Sequence, residues 1–307
     1  MQTFQASLFD ELTPLYPDTP ASDGRSHHRV AGANGTYVGV HIMLDHLTPG
    51  IPVSLEIQGP HRCYQTFQLL ALPVEVNTGA KQRTEYLKND VNEHVIRRAP
   101  FMVYDVLEPF FKIFQPAYTT AALAVKIPIE YCRKQHTDTF TLLVSHGGVS
   151  RQLTLFVDAF PAVVPRAAQS AFQYVNWFNL DHIADAFRCE KWSGRFWRLL
   201  EQYMRAAAFS RQNVFQIELC EIFELDGRGR PRLNEDRLSA LTALAQKSGM
   251  AYFQGGAFAG RLCPTGDNAA FYNSLDHSRI QSPDEIAEAF KTCLLYTSPS
   301  PRDPKTS

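Results

Sequence analysis

The sequence predicts a multidomain chain, in which an N-terminal β-sandwich precedes the first part of an incomplete (β/α)8 barrel. Short segments with alternating apolar residues and frequent turn signals fill the first half, which is typical of an all-β domain. Apolar runs that alternate with helical patterns fill the second half, which is typical of a parallel sheet flanked by helices. The pattern changes at AFQYVNWFNLDHIAD, residues 171–185.

Residues 1–34 are polar and proline-containing, so we expect an irregular lead-in. Strand-like segments follow in residues 35–163, for example TYVGVHIML and SRQLTLFVDAF, and their period of two indicates half-buried strands. The sequence His146-Gly147-Gly148 predicts a hairpin turn between the last two strands. Such a sandwich either supports its neighbour or binds sugars through exposed aromatic residues. Residues 164–170 are bounded by prolines and predict an extended linker.

Residues 171–291 are predicted to form βα units of a partial barrel, with strands at 171–178, 213–219 and 250–255. One helix is expected from about Trp192 to Phe209, with Phe196, Leu200, Tyr203 and Ala207 on its buried face. A second is expected to begin at the N-cap Asn234, and a third at Ser282. A closed (β/α)8 barrel typically takes ~250 residues, so the sheet is either small and open or a barrel cut short.

Residues 292–307 have no hydrophobic periodicity, and the helical pattern that precedes them ends abruptly. We interpret this stretch as an artefactual tail translated from foreign sequence and exclude it from the fold prediction. The alternative is a natural disordered tail.

The composition narrows the classes of partner. The formal net charge is −1, which provides no basic surface for nucleic acid or an anionic membrane. No stretch approaches the ~20 apolar residues of a membrane span, and the N-terminus does not resemble a signal peptide. From the sequence we therefore expect a cytoplasmic protein that binds neither nucleic acid nor membrane.

The sequence also predicts neither a metal site nor a cofactor. The cysteines show no CxxC spacing, and the histidines form no HExxH motif. The segment Asp226-Gly227-Arg228-Gly229 lacks the strand-to-helix context of a nucleotide-binding loop and predicts a turn. The six cysteines are Cys63, Cys132, Cys189, Cys220, Cys263 and Cys293.

Candidate site residues follow from the rule that barrel chemistry collects at the carboxyl ends of the strands. An indole can stack on a sugar ring, while carboxylate, amide and imidazole groups can bind hydroxyl groups. The alternative is that these residues only cap helices, cover a core or lie on the surface. The candidates are Trp177, Asn179, Asp181 and His182 after strand one, Glu218 and Glu221 after strand two, and Gln254, Phe258 and Arg261 at strand three.

Three segments resemble proteins of the domain-of-unknown-function 4091 group, which is similar to glycoside hydrolase family 123. They are PVEVNTG with NDVNEHVIRRAPFMVYDVLEP, then WFNLDHIADAF, then LNEDRLSALTALAQKSGMAYFQGGAFAGR. The likeness covers roughly residues 30–291. Trp177, Phe178, Asp181 and Ala184 match the pattern, whereas Asn179 stands where a histidine is common.

The resemblance implies a sandwich joined to a (β/α)8 barrel and an exo-acting β-N-acetylgalactosaminidase. In such enzymes the 2-acetamido group of the substrate is the nucleophile, an Asp orients it, and a neighbouring Glu is the general acid/base. In the family this Asp-Glu pair lies beyond the third βα unit. The pairs present here, Asp10-Glu11, Glu235-Asp236 and Asp284-Glu285, do not stand where the family has it.

We therefore assign no catalytic residue and expect this chain to be inactive. Two functions remain open at this stage. The chain is either a fragment of a glycosidase-like protein that acts on a terminal sugar such as an N-acetylhexosamine, or a non-catalytic carbohydrate-binding or scaffold protein of the same architecture.

Overall fold

The structure is a computed structural model that describes residues 3–79, 92–226, 231–256, 259–261, 271–273 and 279–280. The chain divides into two compact units, Met1–Val164 and Pro165–Ser307. The described residues form mostly β-sheet with few helices.

Ten strands and a short 3-10 helix, Ala21–Asp23, make up the described first unit. The strands are β1 (Gln5–Asp10), β2 (His27–Asn34), β3 (Tyr37–Asp45), β4 (Val53–Gln58), β5 (Gln65–Val74), β6 (Phe101–Pro109), β7 (Ile113–Phe114), β8 (Ala121–Pro128), β9 (His136–His146) and β10 (Val149–Val163). Sheet 1 has the order β1-β3-β8-β5-β6, and sheet 2 has the order β2-β10-β9-β4-β7. Only β2 and β10 pair in parallel among these strands.

The two sheets enclose one hydrophobic core to which both contribute alternate residues. From sheet 2, Leu153, Leu155 and Val157 are each at most 2% exposed, as their period of two predicts. The predicted hairpin is also present, because Val149 pairs with His146 across the turn. Gly147 and Gly148 have φ values of 57° and 79°, the left-handed conformation that this turn requires.

The prediction of an irregular lead-in at residues 1–34 is wrong at both ends of that range, where Gln5–Asp10 and His27–Asn34 are strands. β1 pairs with β3 in sheet 1, and β2 pairs with β10 in sheet 2. Both are edge strands that bury only one face, so a few apolar residues such as Phe4 and Leu8 suffice among polar ones. That sparse pattern is why the sequence did not indicate strands here.

The stretch between these two strands, residues 11–26, crosses the outer face of sheet 1 and will be called the crossing segment. Leu15 and Ala21 are buried against sheet 1, and the backbone N–H of Tyr104 donates to the carbonyl of Leu15 at 2.9 Å. Asp18 forms an ion pair with Arg97 at 2.5 Å, and this hydrogen-bonded guanidinium lowers the pKa of Asp18. The crossing segment therefore covers apolar surface that would otherwise face water.

His41, on the outer face of β3, should make folding stability depend on pH. Its Nδ1 atom is buried without a hydrogen-bond partner. Burial lowers the pKa of His41 from 6.5, reinforced by Lys126 and opposed by Glu11 and Asp10. The unfolded chain thus takes up a proton before the folded one does. We expect the free energy of unfolding to fall by at most about 1.4 kcal/mol per pH unit as pH drops below 6.5, until the folded state also protonates.

Urea denaturation at a series of pH values checks this expectation. His41→Gln should reduce the pH slope below 6.5. His27→Gln, at an exposed position of β2, is the control and should keep it. An unchanged slope in His41→Gln would contradict the assignment.

The described second unit contains four helices, a parallel strand pair and short antiparallel strands. The helices are α1 (Leu180–Ala186), α2 (Gly194–Phe209), α3 (Leu219–Ile222) and α4 (Glu235–Lys247), and the strands are β11 (Val214–Ile217), β12 (Phe223–Leu225), β13 (Pro231–Leu233), β14 (Tyr252–Gly255), β15 (Ala259–Arg261), β16 (Phe271–Asn273) and β17 (Arg279–Ile280). β11 and β14 pair in parallel, with Val214 opposite Tyr252. They correspond to the predicted second and third strands.

The predicted helix boundaries agree closely with α2 and α4. Asn234 caps α4 by accepting a hydrogen bond from the backbone N–H of Arg237 at 2.9 Å. The predicted buried face of α2 needs one correction, because Met204 is buried and Tyr203 is 42% exposed. The core contacts follow a spacing of four residues from Phe196 through Leu200 to Met204.

The predicted first strand, residues 171–178, is not a strand in the structure. The backbone N–H groups of Asn213 and Val214 both donate to the carbonyl of Tyr174 at 3.2 Å. The N–H of Tyr174 donates to the side-chain oxygen of Asn213 at 2.9 Å, and not to a backbone carbonyl as it would in a strand pair. The segment is therefore attached to the start of β11 by two backbone hydrogen bonds at Tyr174 and by the side chain of Asn213, without regular strand pairing.

Some predictions fall outside the described residues, namely the third helix from Ser282, the tail at 292–307 and the position of Phe258. Within the described ranges, no helix is long and apolar enough to cross a membrane.

Candidate functional site

The carboxyl ends of β11 and β14 meet at one edge of the parallel pair. Glu218 follows β11 and Gly256 follows β14, and the N–H of Gly256 donates to the carbonyl of Ile217 at 2.7 Å. A Cβ atom on residue 256 would lie 2.4 Å from Oε2 and 3.1 Å from Cα of Glu218, so the two strand ends approach each other closely. Polar groups from both strand ends are thus held next to each other.

Trp177 lies in the segment that is bonded to the start of β11, and its indole is in solvent. It is 76% exposed, while the neighbouring Phe178 packs on Phe215 with ring centroids 5.5 Å apart. Phe215 in turn contacts Phe253 of β14 at 5.6 Å. The backbone that carries Trp177 is therefore anchored to the parallel pair, and the indole itself is available as an apolar platform.

Asn179 and His182 have different environments. Asn179 is the N-cap of α1, and its side-chain oxygen accepts from the N–H of Asp181 at 2.7 Å. The predicted ligand contact of Asn179 therefore competes with a local structural role. His182 is exposed in the first turn of α1.

Asp181 and Glu221 are brought together by Lys191. The ammonium of Lys191 lies 2.5 Å from Oδ1 of Asp181 and 2.9 Å from Oε1 of Glu221. Glu221, in α3, is only 4% exposed, so it is not the surface acid that the alternative interpretation expected. A buried carboxylate needs a cation, and Lys191 supplies it.

The electrostatics of these groups follow from burial and pairing. Burial raises the pKa of Glu221, and the hydrogen bond from Lys191 opposes that rise. Burial also acts to lower the pKa of Lys191, but its bonds to Asp181 and Glu221 outweigh burial and raise it. Because its pKa is raised, Lys191 is protonated, and its ammonium bridges the two carboxyl groups.

Arg237, from α4, supports the same region. Its NH1 group donates to the carbonyl of Glu221 at 2.9 Å, and its NH2 group lies 3.1 Å from Oε1 of Glu224. The guanidinium also lies over the ring of Trp192, 4.6 Å from its centroid. We call Asp181, Lys191, Glu221 and Arg237 the Glu221 cluster.

The remaining candidates form a small polar edge. Glu218 is exposed and accepts a hydrogen bond from Nε2 of Gln216 at 2.9 Å. Gln254 is exposed on β14 and is the register partner of Gln216, so both side chains lie on the same face of the pair. Carboxylate and amide groups on one face can bind the hydroxyl groups of a neutral polar ligand.

Sequence reasoning missed Gln216, Lys191, Arg237 and Asn213. Gln216 carried a usable signal, since it is a polar residue inside an otherwise apolar strand. Asn213 carried a similar one, as a polar residue at the start of that strand. Lys191 and Arg237 carry none that distinguishes them from ordinary surface cations.

The described candidates supply hydrogen-bonding carboxylate and amide groups together with one exposed indole. No group of three or more metal-ligating side chains occurs in the described part of the chain. Glu235 and Asp236 are exposed in the first turn of α4, and Glu11 pairs with Lys126 in the first unit. Within the described second unit, no Asp-Glu neighbours stand at a strand end.

Comparisons with known proteins give a match at the level of fold. No protein-family model matches the chain, and no curated protein matches it. Among the solved structures, a Bacteroides ovatus family 5 xyloglucanase aligns with 73% of this chain and 42% of its own. A Vibrio cholerae protease aligns with 51% of this chain and 32% of its own. Their identities are 8% and 9% and their TM-scores 0.23 and 0.20, too low to carry an argument.

One solved structure is similar over almost the whole chain, a family 123 glycoside hydrolase from Clostridium perfringens that was studied for glycolipid glycan hydrolysis. The TM-score is 0.68 at 9% sequence identity. The alignment covers 96% of this chain and 55% of the other, so this chain spans about half the length of that enzyme. The chain is thus similar in fold to part of a family 123 glycoside hydrolase.

Proposed function

We propose that this chain is part of a glycoside hydrolase-like protein that binds a carbohydrate at the carboxyl ends of the strands in its second unit. The observation that carries the proposal is the fold likeness to a family 123 glycoside hydrolase over 96% of the chain. In this proposal the first unit is the β-sandwich, residues 35–163 together with β1 and β2. The second is the first part of a (β/α)8 barrel, in which such strand ends hold the site.

The local chemistry supports a sugar ligand. The exposed indole of Trp177 offers a flat apolar surface for one face of a sugar ring. Gln216, Glu218 and Gln254 offer donors and acceptors for hydroxyl groups on a neighbouring part of the unit. This combination of one aromatic platform and a few polar groups is typical of sites for neutral polar ligands.

We further propose that the intact parent is an exo-acting, N-acetylgalactosaminidase-like β-N-acetylhexosaminidase that uses substrate-assisted hydrolysis. This part of the proposal rests on the sequence resemblance described above, together with the fold likeness. The Asp-Glu pair that such a mechanism needs would lie outside this chain, so the chain by itself is proposed to be inactive.

A non-catalytic carbohydrate-binding protein is the second candidate. One observation favours it, because Asp181 and Glu221 share the ammonium of Lys191. A general acid must reach the leaving group of the substrate, whereas here one ammonium engages an oxygen of both carboxyl groups.

The proposed site is tested by Trp177→Ala. We expect about a tenfold loss of affinity for N-acetylgalactosamine or its methyl β-glycoside, because stacking on the indole is lost. Saturation-transfer NMR titration measures the affinity. Phe172→Ala, which removes another aromatic side chain that is 76% exposed, should bind as the unchanged chain does.

Equal loss in both variants would argue against a site at Trp177. The enzyme alternative is tested with an aryl β-N-acetylgalactosaminide. We expect binding without release of the aryl group, and turnover by this chain would overturn the proposal that it is inactive.

A further inference from the structure

The first unit contains an open cavity of about 650 Å³ on sheet 1. It exists because two strands separate. β8 pairs with β5 only as far as the Leu69–Ala122 pair, whereas β5 continues to Val74 with β6 as its partner. Residues 117–120, which precede β8, line the cavity together with residues of β5 and β6.

The residues lining this cavity indicate what it can hold. None of the described lining residues is charged, so an anion or cation would enter without a counter-charge. The apolar part of the lining includes Met102 and the exposed ring of Tyr118. The polar residues of the lining are Gln68, Tyr104, Thr119 and Thr120.

The hydroxyl groups are placed as a small polar patch beside the apolar surface. The phenolic oxygen of Tyr104 lies 3.4 Å from Oγ1 of Thr120, and either can donate. Burial raises the pKa of Tyr104, so its phenol stays protonated and can donate to a ligand at neutral pH. Tyr118, at 75% exposure, presents its ring to solvent at the cavity.

We propose that this cavity is a second carbohydrate-binding site, which takes a neutral sugar ring against Tyr118 and bonds its hydroxyl groups to Tyr104 and Thr120. A neutral sugar matches the uncharged lining and has both an apolar face and hydroxyl groups. An alkyl chain matches it less well, because the hydroxyl groups of Tyr104 and Thr120 would then have only each other, at 3.4 Å, as partners. The volume lies within the range of about 300–1,000 Å³ that is usual for ligand sites.

This site is independent of the one proposed in the second unit, because all of its lining residues belong to the first. Its test uses the whole chain and four neutral probes, namely maltose, cellobiose, lactose and N,N′-diacetylchitobiose. Glucuronic acid serves as the charged probe. Saturation-transfer NMR titration gives affinities for the unchanged chain, Tyr118→Ala, Tyr104→Phe and Trp177→Ala.

We expect at least one neutral sugar to bind, and Tyr118→Ala to weaken that binding about three- to tenfold. Tyr104→Phe should weaken it by a smaller factor and leave the fold intact, because only one hydroxyl group is removed. The matched control is Tyr131→Ala, since Tyr131 is also 75% exposed but does not line the cavity. It should bind as the unchanged chain does.

Three results would overturn the proposal. The first is that none of the four sugars binds, or that glucuronic acid binds equally well. The second is that affinity falls in Trp177→Ala and not in Tyr118→Ala, which would leave the site in the second unit standing alone. The third is that octyl glucoside binds at this cavity while the free sugars do not, which would identify an apolar chain as the occupant.

Discussion

Lys191→Met is expected to lower the free energy of unfolding of the second unit by about 3–5 kcal/mol. The substitution keeps most of the side-chain volume and removes the ammonium that lies 2.9 Å from Glu221. Glu221 is 4% exposed, so its carboxylate would remain buried without a cation. Urea denaturation followed by circular dichroism measures the change.

A double-mutant cycle separates the charge from the packing. Glu221→Gln alone should cost less than Lys191→Met, and combining the two should recover most of the lost stability, because no buried charge then remains. Lys247→Met is the matched control. Its ammonium is 59% exposed and pairs with Glu201 at the surface, so little change is expected. A loss no larger than that of the control would show that the Glu221 cluster contributes little.

The same variant should change the pH dependence in a defined direction. Burial raises the pKa of Glu221 above 4.5, and removing Lys191 removes the interaction that opposes this rise. The folded state then holds a proton that the unfolded state releases near pH 4.5, so stability falls as pH rises from there through the raised folded pKa. Lys191→Met should therefore cost more stability at pH 7 than near pH 4.5.

The elements that were predicted correctly are those that depend on interactions between residues close together in the sequence. β9 and β10 alternate strictly and are joined by two glycines, so period and turn chemistry agree. α4 begins after Asn234, as predicted. The side chain of Asn234 accepts a hydrogen bond from the N–H of Arg237, three residues later, and this cap needs no tertiary contact.

The remaining features depend on contacts between distant residues. β1 and β2 are edge strands whose partners lie far along the chain, and their own residues carry only a weak period. The candidate site was only partly predictable for the same reason. Asp181 and Glu221 were selected by their position after strands, but the cation that joins them, Lys191, stands in a loop with no motif.

The environment of Asp181 also changes how the predicted site is interpreted. The sequence suggested a carboxylate free to bind a sugar, yet one of its oxygens contacts Lys191 and its side chain is 58% exposed. Asp181 can still accept from a ligand, but its first partner is a lysine. The indole of Trp177 is exposed and can contact a ligand, so among the candidates it is the residue on which the binding experiment should begin.

Asn213 connects the segment that carries Trp177 to the parallel strands. It is fully buried, and its Nδ2 group donates to the carbonyls of Ala167 and Phe172 at 3.0 and 2.9 Å. Its Oδ1 atom accepts from Tyr174, and its own carbonyl accepts from Tyr252 at the start of β14. One side chain and its backbone thus join three stretches of the second unit.

Asn213→Ala is therefore expected to lower the free energy of unfolding by about 3 kcal/mol or more, because it leaves buried backbone groups without partners. Hydrogen exchange should also become faster at Tyr174, whose N–H loses its acceptor. Asn176→Ala is the control, since Asn176 is exposed and donates only to the hydroxyl of Tyr174. If exchange at Tyr174 and overall stability match the control, the segment is held by its backbone and aromatic contacts. If both change as expected, loss of sugar binding in Asn213→Ala would follow from displacement of Trp177 and not from a direct contact with the ligand.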